Sequence, residues 1–158
     1  MKITFPPRSK LYSPKIDAAL CVADEYRRTL FFGSRGGGKT TQVLISECFR
    51  SFLYPEYFCV CVRKVYDTLK ESLFSKLVTW IEKFKLEKFF KITKSPLFIQ
   101  NKISGGKFVF KGCDRPEKLK GLDDPNVVVY EEANELDEVD FNTITTTVRK
   151  DKNLTHFN

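Results

Sequence analysis

One glycine-rich stretch constrains the fold of this chain more than any other feature. Residues 33–40 read Gly-Ser-Arg-Gly-Gly-Gly-Lys-Thr and match the pattern G-x-x-x-x-G-K-[ST] in full. A short apolar segment at residues 29–32 precedes the stretch, and apolar residues at helical spacing follow it. A turn of this kind between a strand and a helix directs several backbone N–H groups at one point, which suits a phosphate. The sequence therefore predicts an α/β protein with a phosphate loop.

The side chains of this loop have distinct predicted roles. Lys39 is expected to bridge the β- and γ-phosphates of ATP, and the hydroxyl of Thr40 to bind Mg²⁺. Arg35 either faces solvent or folds back onto the γ-phosphate; a second cation beside Lys39 favours the second alternative, because charge grows on the transferred group. The residues predicted to contact the nucleotide are Gly33, Ser34, Arg35, Gly36, Gly37, Gly38, Lys39, Thr40 and Thr41.

Two carboxylates follow a strongly apolar segment near residue 130, and both suit a role in phosphate chemistry. Residues 126–130 read Asn-Val-Val-Val-Tyr, the pattern of a buried strand, and Glu131 and Glu132 come directly after it. We expect Glu131 to hold Mg²⁺ and Glu132 to orient and deprotonate the attacking water. The alternative is that both carboxylates merely cap the following turn, as part of an acidic run that ends at Asp140. The guanine signature Asn-Lys-x-Asp is incomplete at residues 101–104, which disfavours a GTPase.

The remaining chain alternates between helical and strand patterns. Predicted helices cover residues 15–28, the segment after the loop, 68–84 and 137–150, and predicted strands cover 29–32, 57–62, short pieces of 91–111, 126–130 and 154–157. The helix at 68–84 begins with Thr-Leu-Lys-Glu, which has the form of a capping box. Strands separated by helices predict a mostly parallel central sheet flanked by helices on both sides. The expected fold class is the three-layer α/β fold of a P-loop NTPase of the ASCE type.

Charge is unevenly distributed along the sequence. The formal net charge is +7; residues 83–120 hold eleven Lys and Arg against three acids, and residues 121–140 hold eight acids and no base. The basic stretch is interleaved with phenylalanines, so it is either a solvated lysine face or a surface for nucleic acid.

The five cysteines and the N-terminus bear on the compartment. Their number is odd and no C-x-x-C spacing occurs, which predicts reduced core thiols of a cytoplasmic protein. No apolar run approaches the roughly 18 residues of a spanning helix, and the first eight residues lack the apolar core of a signal peptide. Neither membrane insertion nor secretion is expected.

Several motifs together resemble the ATPase domain of phage terminase large subunits, the motors that package double-stranded DNA. The likeness lies in residues 34–40, in Val62-Arg63-Lys64 followed by the helix start at 68–72, in 110–120, and in Glu-Glu-Ala-Asn-Glu-Leu at 131–136. It covers the chain from residue 29 onward. The resemblance implies that Lys39, Thr40 and Arg35 contact ATP and Mg²⁺, that Glu131 is the metal acid, and that Glu132 is catalytic.

The same resemblance implies partners and further site residues. It implies double-stranded DNA, a homo-oligomeric ring, a terminase small subunit and a portal protein. Some members of the family use an arginine as a finger that reaches a neighbouring subunit; here the candidates for this role are Lys120, Arg115 and Arg149, and the choice among them is open. Residues 155–158 look like the family's coupling motif, which would end at Asn158. We expect residues 1–158 to be a single P-loop ATPase domain, with an N-terminal arm and helix at 1–28 and a nucleotide-binding core at 29–158 that is incomplete at its C-terminus. An RNase H-like nuclease domain, and nuclease activity, are not expected from these residues.

Two other functions stay open at this point. The first is a fragment that binds nucleotide or DNA with little turnover. The second is another P-loop motor, such as a helicase.

Overall fold

A computed structural model describes residues 6–23, 25–34, 36–114, 119, 121–122, 124–148 and 154–157. Its helices are α1 (Arg8–Leu11), α2 (Pro14–Ala23), α3 (Lys39–Leu53), α4 (Ser75–Lys83) and α5 (Glu138–Thr147). Its strands are β1 (Arg28–Leu30), β2 (Phe58–Arg63), β3 (Phe90–Lys94), β4 (Leu97–Asn101), β5 (Lys107–Gly112), β6 (Val127–Tyr130) and β7 (Leu154–Phe157). Three short 3₁₀ turns cover Tyr66–Leu69, Glu87–Phe89 and Ala133–Glu135, and a π-helical turn covers Lys70–Phe74.

The strands of the described residues form one mixed sheet in the order β1-β7-β6-β2-β5-β4-β3. Strands β1, β7, β6, β2 and β5 are parallel neighbours; β4 pairs antiparallel with β5, and β3 pairs antiparallel with β4. The prediction of a mostly parallel sheet is confirmed. The strand before the glycine-rich loop and the strand before the double acid are separated by β7, so a strand is inserted between them.

Both faces of the sheet are covered, which confirms the three-layer prediction. On one face, α2, α3 and α4 pack on the odd-numbered residues of β2 and β6, such as Cys59, Cys61 and Val129. On the other face, Ile144 of α5 packs on the even-numbered residues, such as Val60. Since β2 and β6 are covered on both faces, they are apolar throughout, as expected for central parallel strands.

The predicted helix at 68–84 is wrong in its first turns. Thr68 does not cap it, because its hydroxyl donates to the carbonyl oxygen of Val65 at 2.7 Å. The chain enters through the 3₁₀ turn, widens into the π-helical turn and becomes regular only at Ser75. The buried leucines Leu69, Leu73 and Leu77 still reach the core from this path, so packing preserves the apolar row while the backbone departs from α-helical geometry.

Smaller differences concern ends and exposure. Helix α2 stops at Ala23 and α5 at Thr147, both before the predicted ends. Strand β1 lies at one end of the described sheet. The two phenylalanines that follow it differ in burial, since Phe31 is buried and Phe32 is 88% exposed. All five cysteines are free thiols, and four are buried, but Cys21 is exposed and is not a core residue.

Candidate functional site

A cleft of about 740 Å³ lies at the carboxyl ends of β2 and β6, beside the glycine-rich loop. Its volume is within the usual range for a small-ligand site. The residues that line it are Gly33, Gly36, Gly37, Gly38, Lys39, Thr40, Thr41, Arg63, Glu71, Ser72, Lys76, Glu131, Glu132 and Glu135. The structure therefore brings together Gly33 and residues 36–41 with both predicted acids, which lie about ninety residues further along the sequence.

The glycine-rich loop wraps around the side chain of its own lysine. Gly36 and Gly38 have φ angles of 82° and 73°, a region that favours glycine, and Gly38 leads directly into α3. Lys39 Nζ donates to the carbonyl oxygens of Gly33 and Ser34 at 2.9 and 3.0 Å. The ammonium thus stays inside the loop, at the N-terminus of a fifteen-residue helix.

Glu131 occupies a fixed and unusual environment at the end of β6. Its backbone N–H donates to the carbonyl oxygen of Val62 at 3.0 Å, so the ladder between β6 and β2 continues through it. Its side chain is only 5% exposed. Oε1 accepts a hydrogen bond from Lys76 Nζ at 2.6 Å, and among the described residues Oε2 has no partner. A buried carboxylate oxygen without a partner is costly, so Oε2 is a candidate acceptor for a ligand or an ion.

The neighbouring Glu132 has strained backbone geometry. Its φ and ψ are 63° and 60°, in the left-handed region that few non-glycine residues adopt. It precedes the 3₁₀ turn at Ala133–Glu135, and its carbonyl oxygen accepts from the N–H of Glu135 at 2.9 Å. The sharp reversal after β6 leaves the Glu132 side chain exposed on the cleft. Strain of this kind is often found at functional sites.

The residues present fit a magnesium ion held jointly with phosphates. Mg²⁺ commonly takes one or two protein oxygens and completes its shell with water and phosphate. The cleft offers the hydroxyl of Thr40 and Oε2 of Glu131, which no other described residue contacts by a hydrogen bond. No group of three or more His, Cys, Asp or Glu side chains that could hold a metal occurs in the described part of the chain, so an all-protein cage is not what these residues form.

An ion-pair network ties the end of β2 to the start of α5. Lys64 Nζ donates to Asp137 Oδ2 at 2.8 Å and to Asp140 Oδ2. Asp137 also caps α5, since its Oδ1 accepts from the N–H of Asp140 at 2.8 Å. Hydrogen bonds to these two carboxylates raise the pKa of Lys64 above its ordinary value, and the bond from Lys64 lowers the pKa of Asp137. Arg63, next along the strand, lies 3.8 Å from Glu135.

The predicted site residues divide into those that line the cleft and those that do not. Ser34 contributes its carbonyl oxygen to Lys39 but is not among the lining residues. Arg35, and the tentative residues Lys120, Arg115, Arg149 and Asn158, lie outside the described residues. For Asn158 the neighbouring strand is placed, because β7 pairs with β1 and β6.

Five cleft residues were given no role on sequence grounds, although all but the fourth lie in segments that carry the family resemblance: Arg63, Glu71, Ser72, Lys76 and Glu135. Arg63 had a usable signal, because it ends a buried strand on the same sheet edge as the acids. The pair Ser72 and Lys76 is four residues apart, which places both on one face of a helix, but nothing in the sequence shows which face meets the cleft.

No helix among the described residues is long and apolar enough to cross a membrane.

A glycine-rich loop between a strand and a helix, at the carboxyl edge of a mostly parallel three-layer sheet, defines an α/β protein of the phosphate-loop class. Comparison with known families narrows this class. A family described as phage terminase large subunit matches residues 25–157, most of the chain. The chain belongs to the phage terminase large subunit family.

Two curated relatives agree with this membership. The terminase large subunit of Bacillus phage SPP1 is 28% identical over 100 residues, which are 63% of this chain and 24% of the relative. The PBSX phage terminase large subunit of Bacillus subtilis strain 168 is 33% identical over 75 residues, 48% of this chain and 17% of the relative. The matches therefore span about a quarter or less of the curated relatives.

Solved structures show the same fold at low identity. The large terminase ATPase domain of Thermus phage P74-26 has a TM-score of 0.73 and 18% identity, over 98% of this chain and 65% of that one. The HK97 bacteriophage large terminase has a TM-score of 0.74 and 14% identity, over 98% of this chain and 34% of that one. The large terminase of a thermophilic bacteriophage, in complex with ADP, has a TM-score of 0.70 and 14% identity, over 86% of this chain and 34% of that one.

Proposed function

We propose that this chain hydrolyses ATP and is the ATPase part of a motor that packages double-stranded DNA into a viral prohead. One observation carries the proposal: the cleft joins the glycine-rich loop with two acids that follow a central strand, one of them buried with an oxygen that has no partner among the described residues. A large terminase of similar fold, from a thermophilic bacteriophage, was solved in complex with ADP, which supports nucleotide binding by such a fold. Residues 29–158 would be the nucleotide-binding core, and residues 1–28 an arm and helix beside it.

The loop supplies binding and charge neutralisation. Lys39 would exchange the two carbonyl oxygens for oxygens of the β- and γ-phosphates, a stronger, charge-assisted pairing. The other loop residues, with Thr41 after them, would contribute backbone N–H groups at the helix N-terminus. Arg35 would add a second positive charge as charge grows on the transferred phosphoryl group.

The acids supply the water chemistry. Thr40 and Glu131 would hold Mg²⁺, which when bound neutralises phosphate charge and helps to align the terminal phosphoryl group. Glu132 would accept a hydrogen bond from water, orient it for in-line attack and take its proton. Glu131 is buried and Glu132 is exposed. This difference suits the two proposed roles, because the metal-binding carboxylate must be held rigidly and the carboxylate that activates water must reach the substrate.

Family membership supports the proposals about partners. Double-stranded DNA, a homo-oligomeric ring, a small terminase subunit and a portal protein are the partners we propose, in the cytoplasm of an infected or lysogenic bacterium. Lysines 85, 88, 91, 94 and 102 are exposed around β3, at the opposite end of the sheet from β1. Contacts of such lysines with phosphates would be independent of sequence and sensitive to salt. A finger in trans would come from Lys120, Arg115 or Arg149, and coupling from Asn158.

ATP turnover with and without double-stranded DNA, in the wild type and in Lys39→Ala, tests the proposal. We expect Lys39→Ala to lose at least about 100-fold in turnover, because it removes the cation that neutralises the transferred phosphoryl group. Lys70→Ala is the matched control, since this lysine is exposed and lies outside the cleft. Equal turnover in wild type and Lys39→Ala would sink the assignment. Binding of ATP without hydrolysis, unchanged by Glu132→Gln, would instead indicate a fragment that only binds nucleotide.

A further inference from the structure

One wall of the cleft contains a cation that has no role in the chemistry above. This wall is the segment from Tyr66 to Lys83, and it contributes Glu71, Ser72 and Lys76 to the cleft. Lys76 Nζ lies 2.6 Å from Glu131 Oε1, the carboxylate proposed to hold the metal. Since a lysine and a divalent cation repel each other, both cannot be close partners of one carboxylate without a cost.

The two members of this pair differ in their freedom to move. The Glu131 side chain is 5% exposed and follows a central strand, whereas the Lys76 side chain is 39% exposed. Lysine has a flexible stem and a compact charge that is readily hydrated. The carboxylate is therefore fixed and the ammonium is the partner that can leave.

The surroundings of the pair also show room for a ligand. Glu131 Oε2 is buried and has no partner among the described residues, so the carboxylate keeps one free acceptor. The hydroxyl of Ser72, one helical turn before Lys76, is likewise buried without a partner in the described part of the chain. Both residues line the same cleft. The π-helical turn at Lys70–Phe74 includes Ser72 and ends two residues before Lys76, and turns of this type recur at functional sites.

The charges of the cleft explain why such a counter-ion is needed. Its described lining contains four carboxylates, Glu71, Glu131, Glu132 and Glu135, and three cations, of which Lys39 is bound to loop carbonyls and Arg63 lies near Glu135. Among the described residues, Lys76 is the cation paired with the buried Glu131. A buried carboxylate without a paired charge would be strongly disfavoured.

We propose that Lys76 is an exchangeable counter-ion of Glu131: it neutralises the carboxylate until a divalent cation takes its place. Lys76 is thus a positioning residue that acts through Glu131, and departure of its ammonium toward the solvent side would couple metal binding to the segment 66–83. The inference rests on the proposed function, because it takes the metal to arrive with the nucleotide.

The experiment measures Mn²⁺ affinity rather than turnover. Binding of a fluorescent ADP analogue to the wild type is first measured without metal, and Mn²⁺ is then titrated by electron paramagnetic resonance at saturating ADP. We expect Lys76→Met and Lys76→Gln to bind Mn²⁺ about tenfold more tightly than the wild type, because the competing charge is gone. Lys76→Arg keeps the charge and should bind Mn²⁺ like the wild type. Lys70→Met is the control for loss of a positive charge on the same segment, and it should also leave the affinity unchanged.

The Mn²⁺ and ADP affinities separate the inference from the proposed function. Unchanged or weaker Mn²⁺ binding in Lys76→Met and Lys76→Gln would overturn the inference while leaving the proposed function intact, since it would mean that the lysine only orients the carboxylate. A wild type that binds neither ADP nor Mn²⁺ would overturn the proposed function and this inference together. Should Lys76→Met fail to fold, Lys76→Gln retains a donor for Glu131 Oε1 without the charge and gives the same comparison.

Discussion

The strained backbone of Glu132 allows its proposed catalytic role and its conformational cost to be measured separately. At a φ of 63°, a side chain with a Cβ costs about 1–2 kcal/mol relative to the usual regions. Asparagine tolerates this region and glycine is free in it, although glycine loses roughly 0.5–1 kcal/mol through the entropy of the unfolded chain. We therefore expect Glu132→Asn to stabilise the protein by about 1 kcal/mol, Glu132→Gly by about 0.5–1 kcal/mol, and Glu132→Gln hardly at all.

The three variants should differ in stability but not in activity. All of them remove the carboxylate that would activate water, so each should lose about 10²- to 10⁴-fold in ATP turnover. Urea unfolding gives the free energies, and a change of 1 kcal/mol corresponds to about 2–4 °C in the melting temperature for a chain of this size. Glu56→Asn is the control: this residue has a φ of 54° and lies outside the cleft, so it should be stabilised without loss of turnover.

Two results would refute this reasoning. If Glu132→Asn and Glu132→Gly are no more stable than Glu132→Gln, the left-handed backbone is not strained in the folded protein. If Glu132→Gln keeps more than about a tenth of wild-type turnover, Glu132 is not the general base, because removal of such a group costs far more.

Two further predictions concern the cleft and its support. Ser72→Ala removes a buried hydroxyl that has no partner among the described residues, so we expect the free energy of unfolding in urea to rise by about 1 kcal/mol. ATP binding measured by calorimetry should weaken, because the cleft loses a hydroxyl that could donate to the ligand. A less stable variant with unchanged ATP affinity would contradict this prediction. Because Lys64 lowers the pKa of Asp137, that carboxylate stabilises the fold above its ordinary pKa of 3.8, and the contribution is lost as the pH falls below that value. The urea midpoint of Lys64→Met should accordingly fall less than that of the wild type between pH 6 and pH 3, and parallel pH profiles would show that the pair contributes nothing.

Much of the fold was predictable because its signals are local. The glycine-rich loop, the apolar strands that became β2 and β6 and the alternation of elements are each read from a few consecutive residues, and the mostly parallel three-layer sheet follows from them. The entry to α4 was not predictable in the same way. Thr68 and Glu71 fit a capping box, but the chain must place Leu69 and Leu73 in the core immediately after a turn, and packing overrides the local preference.

The sequence by itself pointed to the chemistry proposed for this protein, through a glycine-rich loop with Lys39 and Thr40 and two acids after a buried strand. These groups can be recognised from the sequence because each is defined by residue types at short spacing along the chain. Only the tertiary structure decided which other side chains meet them. It brought Lys76 to Glu131 across fifty-five positions and left Oε2 of that carboxylate without a partner among the described residues. It also placed Glu132 in the left-handed region, where the backbone turns sharply after β6. Contacts between distant segments, and the path of the chain after a strand, depend on packing and not on the local residue pattern.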